Sequence, residues 1–348
     1  MTALPTRDRN LPDAYSDTLE KLSLAPLWAA LHVLLPHERT TQVVPHHWRW
    51  ADLRAPLLEA ARLVGIEQAE RRVLVLMNPG LAGAYAATAT LYAGLQIILP
   101  GESAPSHHHT PAALRLVVEG RGAFTTVDGM KCAMEPGDLI ITPPMRWHDH
   151  GHEGHEPVIW LDGLDIPLVR AFEASWASKM RPAQAPETAT DSSQDEFTAA
   201  GLVPRGSHYP ETGYPQVRWP WREVREALAR LAAAAPRERA VTLRYVNPRT
   251  GAPPLATMGS EALWLRPGEA TRAERRTGSG VFHVIEGRGE TRVGDTVLTW
   301  EPGDCFAVPP WQWIEHRNGS GAAPAALFHL NDEPALRSLG LWQEEPRA

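Results

Sequence analysis

The chain has 348 residues, enough for one large or two moderate domains with cores of their own. Its 34 Lys and Arg against 41 Asp and Glu give a net charge of −7 with mixed signs, which leaves no basic footprint for nucleic acid. No apolar run is long enough to span a bilayer and the opening MTALPTRDRNLPDAY lacks a leader pattern, so a soluble, cytoplasmic protein without a membrane partner is expected.

Residues 13–35 and 52–64 repeat apolar positions at three and four, the pattern of amphipathic helices. His32, His37, His46 and His47 lie near them and read as surface or core residues, since none has a suitably spaced partner. From Arg72 the pattern becomes strand-like, with short apolar runs to about Asp162 punctuated by Pro-Gly and Asn-Pro-Gly. Thirteen tryptophans and thirty-two prolines fit such a β-rich chain. Cys132 and Cys305 form no paired spacing and read as ordinary strand or core residues. Residues 181–216 are rich in Pro, Ala, Thr, Ser and Glu without an apolar period, and read as a linker or mobile loop. Within it, residues 202–208 (LVPRGSH) match a protease-cleavage sequence found in expression tags and carry no functional argument. A helix is expected after Pro220, and strands resume at VTLRYVNP and run to about Leu330.

The two strand-rich blocks repeat each other. Pro100-Gly101-Glu102, Glu119-Gly120-Arg121-Gly122, Glu135-Pro136-Gly137-Asp138 and Pro143-Pro144 recur as Pro267-Gly268-Glu269, Glu286-Gly287-Arg288-Gly289, Glu301-Pro302-Gly303-Asp304 and Pro309-Pro310. Each copy reads as a jelly roll whose EGxG and EPGD turns need glycine for positive φ and aspartate to hydrogen-bond the backbone. The expected boundaries are 1–72 for an N-terminal helical segment, 73–180 for the first β domain, 181–216 for the linker and 217–348 for the second.

Only the first copy carries a metal signal. Residues i and i+2 of a strand share a face, so His107 and His109 converge and His148 can join them from another strand. His108 points the other way. The second copy places Glu274, Arg276 and Ile314 at the three positions, so its barrel is expected to be structural, with His283, His316 and His329 as packing or surface residues.

Gly101, His107 and His109, with Gly120 or Gly122 farther on, resemble the first motif of the cupin superfamily, although Ala113 and Leu114 stand where that motif has glutamate. PGESAPSHHHTPAALRLVVEGRGAF, EPGDLIITPPMRWHDHG and PVIWLDGLDIP resemble the gentisate 1,2-dioxygenase family, which includes salicylate and 1-hydroxy-2-naphthoate 1,2-dioxygenases; the likeness runs from about Leu22 to Leu341 apart from the linker. The resemblance implies a mainly β bicupin of two double-stranded β-helix barrels. It also implies Fe(II) held by His107, His109 and His148, a small aromatic hydroxy acid opened with O2 between its carboxyl- and hydroxyl-bearing carbons, and a homotetramer. Gentisate would give maleylpyruvate.

Three neutral imidazoles leave the full dication charge and open coordination positions, which suits an acid that chelates through carboxylate and phenolate. Strand parity points Arg115 inward, either toward the substrate carboxylate or into a structural ion pair. His150 shares a face with His148 and is an acid/base candidate or a rim histidine. Asp162 can orient His150, bind a ring substituent or simply begin a turn. Tyr92, Gly94 and Gln96 alternate on the preceding strand; Tyr92 can wall the ring, Gly94 leaves space and Gln96 can bond the substrate. Arg71 and Arg72 are a solvated pair or, by the resemblance, place an arginine near the pocket mouth. Tyr92, Gly94, Asp149 and Asp162 are the candidates for telling gentisate from salicylate, a substituted salicylate or 1-hydroxy-2-naphthoate. Outside that class, a metal-dependent cupin isomerase or a small-molecule-binding cupin is the alternative.

Overall fold

The computed structural model describes residues 5–179, 187–191, 214, 216–236 and 240–347. Most of the expected linker 181–216, including 202–208, lies outside the described residues. The chain divides into two compact units, Met1–Gln42 and Val43–Ala348.

In the first unit the single expected helix is two, Asp13–Lys21 and Leu27–Leu34. Pro26, the residue before the second helix, cannot donate a helical hydrogen bond and keeps its neighbour extended, which separates them. Arg7 bonds Asp17 and Glu20, and the Trp28 indole N–H donates to Asp8 at 2.8 Å.

The second unit holds two barrels, each made of two facing sheets. Its strands are β1 (His46–Trp48), β2 (Arg72–Val75), β3 (Tyr92–Ile98), β4 (Ser103–His109), β5 (Ala113–Glu119), β6 (Ala123–Val127), β7 (Met130–Ala133), β8 (Leu139–Thr142), β9 (His148–His152) and β10 (Val158–Leu164). The short β11 (Ala177–Lys179), β12 (Ala189–Thr190) and β13 (Arg218–Trp219) follow. The second half contributes β14 (Val241–Arg244), β15 (Gly259–Leu265), β16 (Glu274–Arg276), β17 (Gly280–Glu286), β18 (Gly289–Val293), β19 (Thr296–Trp300), β20 (Cys305–Val308), β21 (Ile314–Asn318), β22 (Ala325–Asn331) and β23 (Glu344–Pro346). The first barrel joins sheets ordered β13-β8-β5-β10-β3-β2 and β11-β4-β9-β6-β7-β12. The second joins β1-β20-β17-β22-β15-β14 and β19-β18-β21-β16-β23. This is the double jelly roll the repeat predicts.

The barrels are linked by exchange. β1, inside the segment expected to be N-terminal and helical, pairs with β20 of the second barrel, while β13 pairs with β8 of the first. The helix Trp50–Leu63 then packs on β2 and β3, and the helix Trp221–Ala234 packs on β14 and β15. Each EPGD turn anchors the start of one of these helices. Asp138 accepts from the Trp221 backbone N–H at 2.8 Å and from the Arg218 guanidinium at 2.7 Å. Asp304 accepts from Trp50 N–H at 2.7 Å, and its other oxygen lies 2.8 Å from His47 Nε2. Gly137 and Gly303 sit at φ +87° and +91°, and an added Cβ would fall 2.4 Å from the Trp221 ring and 2.5 Å from the Trp50 ring. The turn glycine is therefore fixed twice, by its backbone and by the indole against it.

Candidate metal centre

The centre forms where β4 meets β9. His107 and His148 are register partners, and a register shift between Ala104 and His107 re-aims the end of β4. Ring centroids of His107, His109 and His148 lie 4.2 to 5.0 Å apart, and one ligand atom from each falls within 4.8 Å of the others. As expected, His108 faces away and stacks on Trp147, with centroids 4.0 Å apart.

Two tautomers are set by carbonyls, which can only accept. His109 Nδ1 donates to Pro111 O at 2.7 Å and His148 Nδ1 to Arg146 O at 3.0 Å, so each Nε2 keeps a lone pair. His148 Nε2 is buried without a hydrogen-bond partner among the described residues. His107 differs, because Arg71 donates to its Nδ1 as well as to Pro105 O. Because a guanidinium can only donate, that bond leaves the His107 proton on Nε2. Burial pulls His107 down to about 2, with help from Arg71, and His109 down to about 4; His148 also falls well below the ordinary histidine range. All three rings are neutral near pH 7, the form that ligates metal. The residues therefore fit a metal ion: three neutral imidazoles converge, with no carboxylate among them.

A charged row runs across the floor. Gly94, Asp162 and Arg115 are cross-strand neighbours on β3, β10 and β5. Arg115 is buried, with Nη1 on Thr142 Oγ1 at 2.5 Å and Nε 3.6 Å from Asp162. Asp162 also accepts from Trp160 Nε1 at 3.0 Å, and burial outweighs these partners to push its carboxyl up to about 6. Asp162 does not orient His150. That ring's Nδ1 lies 2.9 Å from Thr125 Oγ1, a residue the sequence reading missed although its inward parity on β6 could have revealed it. Thr125 in turn donates toward Met134 Sδ at 3.5 Å, so Nδ1–H donating to Thr125 is the arrangement that satisfies every proton and leaves His150 Nε2 a free lone pair. Burial, with Arg115 and Arg71 nearby, keeps His150 neutral.

Arg71 and Arg72 separate. Arg71 reaches the histidine cluster, while Arg72 is buried against Glu102 and Ala61 O. Arg71 Nε, Gln96 Nε2, Arg115 Nε and His150 Nε2 join His148 Nε2 as buried atoms without partners among the described residues. Tyr92 closes one side, and an added Cβ on Gly94 would fall 2.6 Å from Val73 Cγ1 and 2.9 Å from the Tyr92 hydroxyl. Asp149, between His148 and His150, has the opposite parity on β9, yet its charge acts on Arg71.

At the equivalent place in the second barrel Glu274 and Ile314 are register partners, so the comparison of the repeats holds at the level of single residues. A double barrel with one histidine triad defines a bicupin with a single candidate metal centre among the described residues. The cupin-domain family matches residues 94–164 and 264–331. A gentisate 1,2-dioxygenase from Ralstonia sp is 43% identical over 97% of this chain and 95% of its own. A 5-aminosalicylate 1,2-dioxygenase from Comamonas sp is 36% identical over 97% of this chain and 93% of its own. The structure of salicylate 1,2-dioxygenase from Pseudoaminobacter salicylatoxidans in adducts with gentisate superposes with a TM-score of 0.90 at 30% identity, covering 100% of this chain and 97% of that one. The chain belongs to the gentisate 1,2-dioxygenase family, bicupin enzymes that open aromatic rings. No helix among the described residues is long and apolar enough to cross a membrane.

Proposed function

We propose that the chain is an Fe(II)-dependent dioxygenase that opens gentisate with O2 between its carboxyl- and hydroxyl-bearing carbons, giving maleylpyruvate. The observation that carries this reading is the set of buried nitrogens on Arg71, Gln96, Arg115 and His150 that make no hydrogen bond among the described residues, beside three neutral imidazoles. Unpaired buried donors on Arg71, Gln96 and Arg115 cost stability that a ligand rich in oxygen restores, and the His150 Nε2 lone pair accepts from a ligand hydroxyl. Fe(II) held by His107, His109 and His148 would supply the redox centre at which O2 meets the hydroxy acid.

Arg115, fixed by Thr142 and by the Asp162 carboxylate 3.6 Å from its Nε, anchors the substrate carboxylate by its charge, and Arg71 adds a second cation at the mouth. Gln96 donates to a substrate oxygen. His150 accepts the proton of the ortho hydroxyl at Nε2 and returns it as the ring opens, with Thr125 holding Nδ1–H throughout. Asp162 holds Arg115 in place. Tyr92 and Gly94 wall the far side of the ring, where gentisate carries its second hydroxyl. Trp160, 5.2 Å from His150, helps keep water out beneath it.

Gentisate is preferred because relatives from Ralstonia sp and Aquipseudomonas alcaligenes bear that activity in their names and the salicylate enzyme has been crystallised with gentisate. A salicylate, a substituted salicylate or 1-hydroxy-2-naphthoate is the second reading, favoured by the 5-aminosalicylate relative. Oxygen uptake by the ferrous chain against a panel of ortho-hydroxy aromatic acids tests both. One O2 per gentisate with the highest kcat/KM supports the first, another preferred acid supports the second, and no uptake with any of them rejects both. The homotetramer is proposed from the family resemblance and the cytoplasmic location from the sequence.

A further inference from the structure

The second barrel, although stripped of metal ligands, is not filled. A cavity of about 230 Å³ occupies the place that corresponds to the metal centre. That is the space of about eight liquid waters, enough for one six-membered ring bearing a carboxylate. Its apolar wall is Leu263, Phe282 and Ile314, and its polar wall is Glu261, Arg276 and His316. A barrel kept for packing alone would bury apolar side chains here, because buried polar groups stabilise little unless fully paired.

The polar wall is built. Thr291 Oγ1 receives Trp300 Nε1–H at 2.9 Å and lies 2.8 Å from His316 Nδ1. With one lone pair taken by the indole, the arrangement that satisfies every proton has Thr291 donating to Nδ1, which puts the His316 proton on Nε2. His316 is therefore a neutral donor in the cavity wall. Glu261 is held as a carboxylate between Arg244 at 2.9 Å and His329 at 3.0 Å, and His329 stacks on Phe282 with centroids 4.1 Å apart. Arg276 bonds Glu274 at the rim and reaches to 4.0 Å from Glu261. The lining carries two arginines, Arg272 and Arg276, against two carboxylates, Glu261 and Glu274; Glu261 is engaged by Arg244 and His329, and Arg272 at the lip is exposed and makes no ion pair among the described residues, so its guanidinium is open to an added anion.

We propose that this cavity is a second, metal-independent ligand site that takes a small aromatic monocarboxylate, its carboxylate between Arg276, Arg272 and His316 Nε2–H and its ring against Leu263, Phe282 and Ile314. The site does not depend on the activity assigned to the first barrel.

Calorimetric titration of the full, metal-free chain with 4-bromobenzoate, together with bromine anomalous scattering from crystals of that complex, tests the site. The expected result is saturable binding that survives Arg115→Met, weakens about tenfold in Arg276→Met and in His316→Phe, and places bromine inside the second barrel. A tenfold loss corresponds to one charge-assisted hydrogen bond. Thermal melts check that each variant folds, and if Arg276→Met does not, His316→Phe and the bromine position decide. No saturable binding, binding that Arg115→Met abolishes while Arg276→Met leaves it intact, or bromine density confined to the first barrel overturns the proposal.

Discussion

The two barrels share their turns, strand order and register, yet they diverge at a few inward-facing positions. His107 and His148 in one correspond to Glu274 and Ile314 in the other. Where the first barrel sets Arg115 against Asp162, the second sets Phe282 against His329 in a ring stack. His150 with Thr125 is matched by His316 with Thr291, at 2.9 and 2.8 Å. The third residue of each group reverses the sense: Met134 accepts a proton from Thr125, whereas Trp300 donates one to Thr291. The same fold thus presents an imidazole lone pair in one barrel and an imidazole N–H in the other. The scaffold is conserved by its turns, while chemistry is set by single residues on a common framework.

The largest break in this comparison is expected from the triad. His148→Ala should leave metal content near zero and oxygen uptake at background, whereas Ile314→Ala at the matching position should leave both unchanged; metal analysis and an oxygen electrode read the difference. Chelation of the wild-type chain should reproduce the His148→Ala rate and ferrous iron should restore it. Arg115→Met should lower kcat/KM by about 10- to 100-fold, the effect of losing a charge-assisted hydrogen bond of about 1.5–3 kcal/mol. Arg115→Lys should recover only part, because a lysine lacks the planar fork.

The second barrel should dominate acid stability. Burial alone would raise the Glu261 carboxyl, but His329, Arg276 and Arg244 outweigh it and hold it at about 2. A depressed carboxyl stabilises the fold above its ordinary range and loses that contribution as pH falls from the usual glutamate value toward about 2. Glu261→Gln should therefore flatten the loss of stability below pH about 4.5, an effect on the order of 3 kcal/mol, measured by urea unfolding at stepped pH. The smallest effects concern the helix anchors. Asp138→Ala and Asp304→Ala should each cost about 1–2 kcal/mol and add when combined, since they hold different helices; a shared loss would show that the two anchors are coupled.

Much of this was legible in the sequence because the signals are local. The repeated turns need glycine at fixed places, and a period of two brings His107 and His109 to one face whatever the rest of the chain does. The exchanged strands β1 and β13 were not legible, because pairing with a distant edge leaves no period in three or two residues. His47 looked idle for the same reason, since its partner Asp304 is far along the chain. His283, His316 and His329, expected at the surface or in packing, are all buried, and the latter two pack on Phe282 and also line a cavity. Parity marks Thr125 as inward-facing, but its role as partner of His150 depends on the cross-strand register, which the sequence does not reveal. Pro26 did carry a signal, and it splits a helix that apolar period alone had joined.

The central claim is that one barrel holds the reactive metal and the other does not. Anomalous scattering at the iron edge from crystals of the ferrous-loaded chain tests it directly. A single peak among His107, His109 and His148 is expected; a peak in the second barrel, or none at the triad, would contradict a one-metal chain.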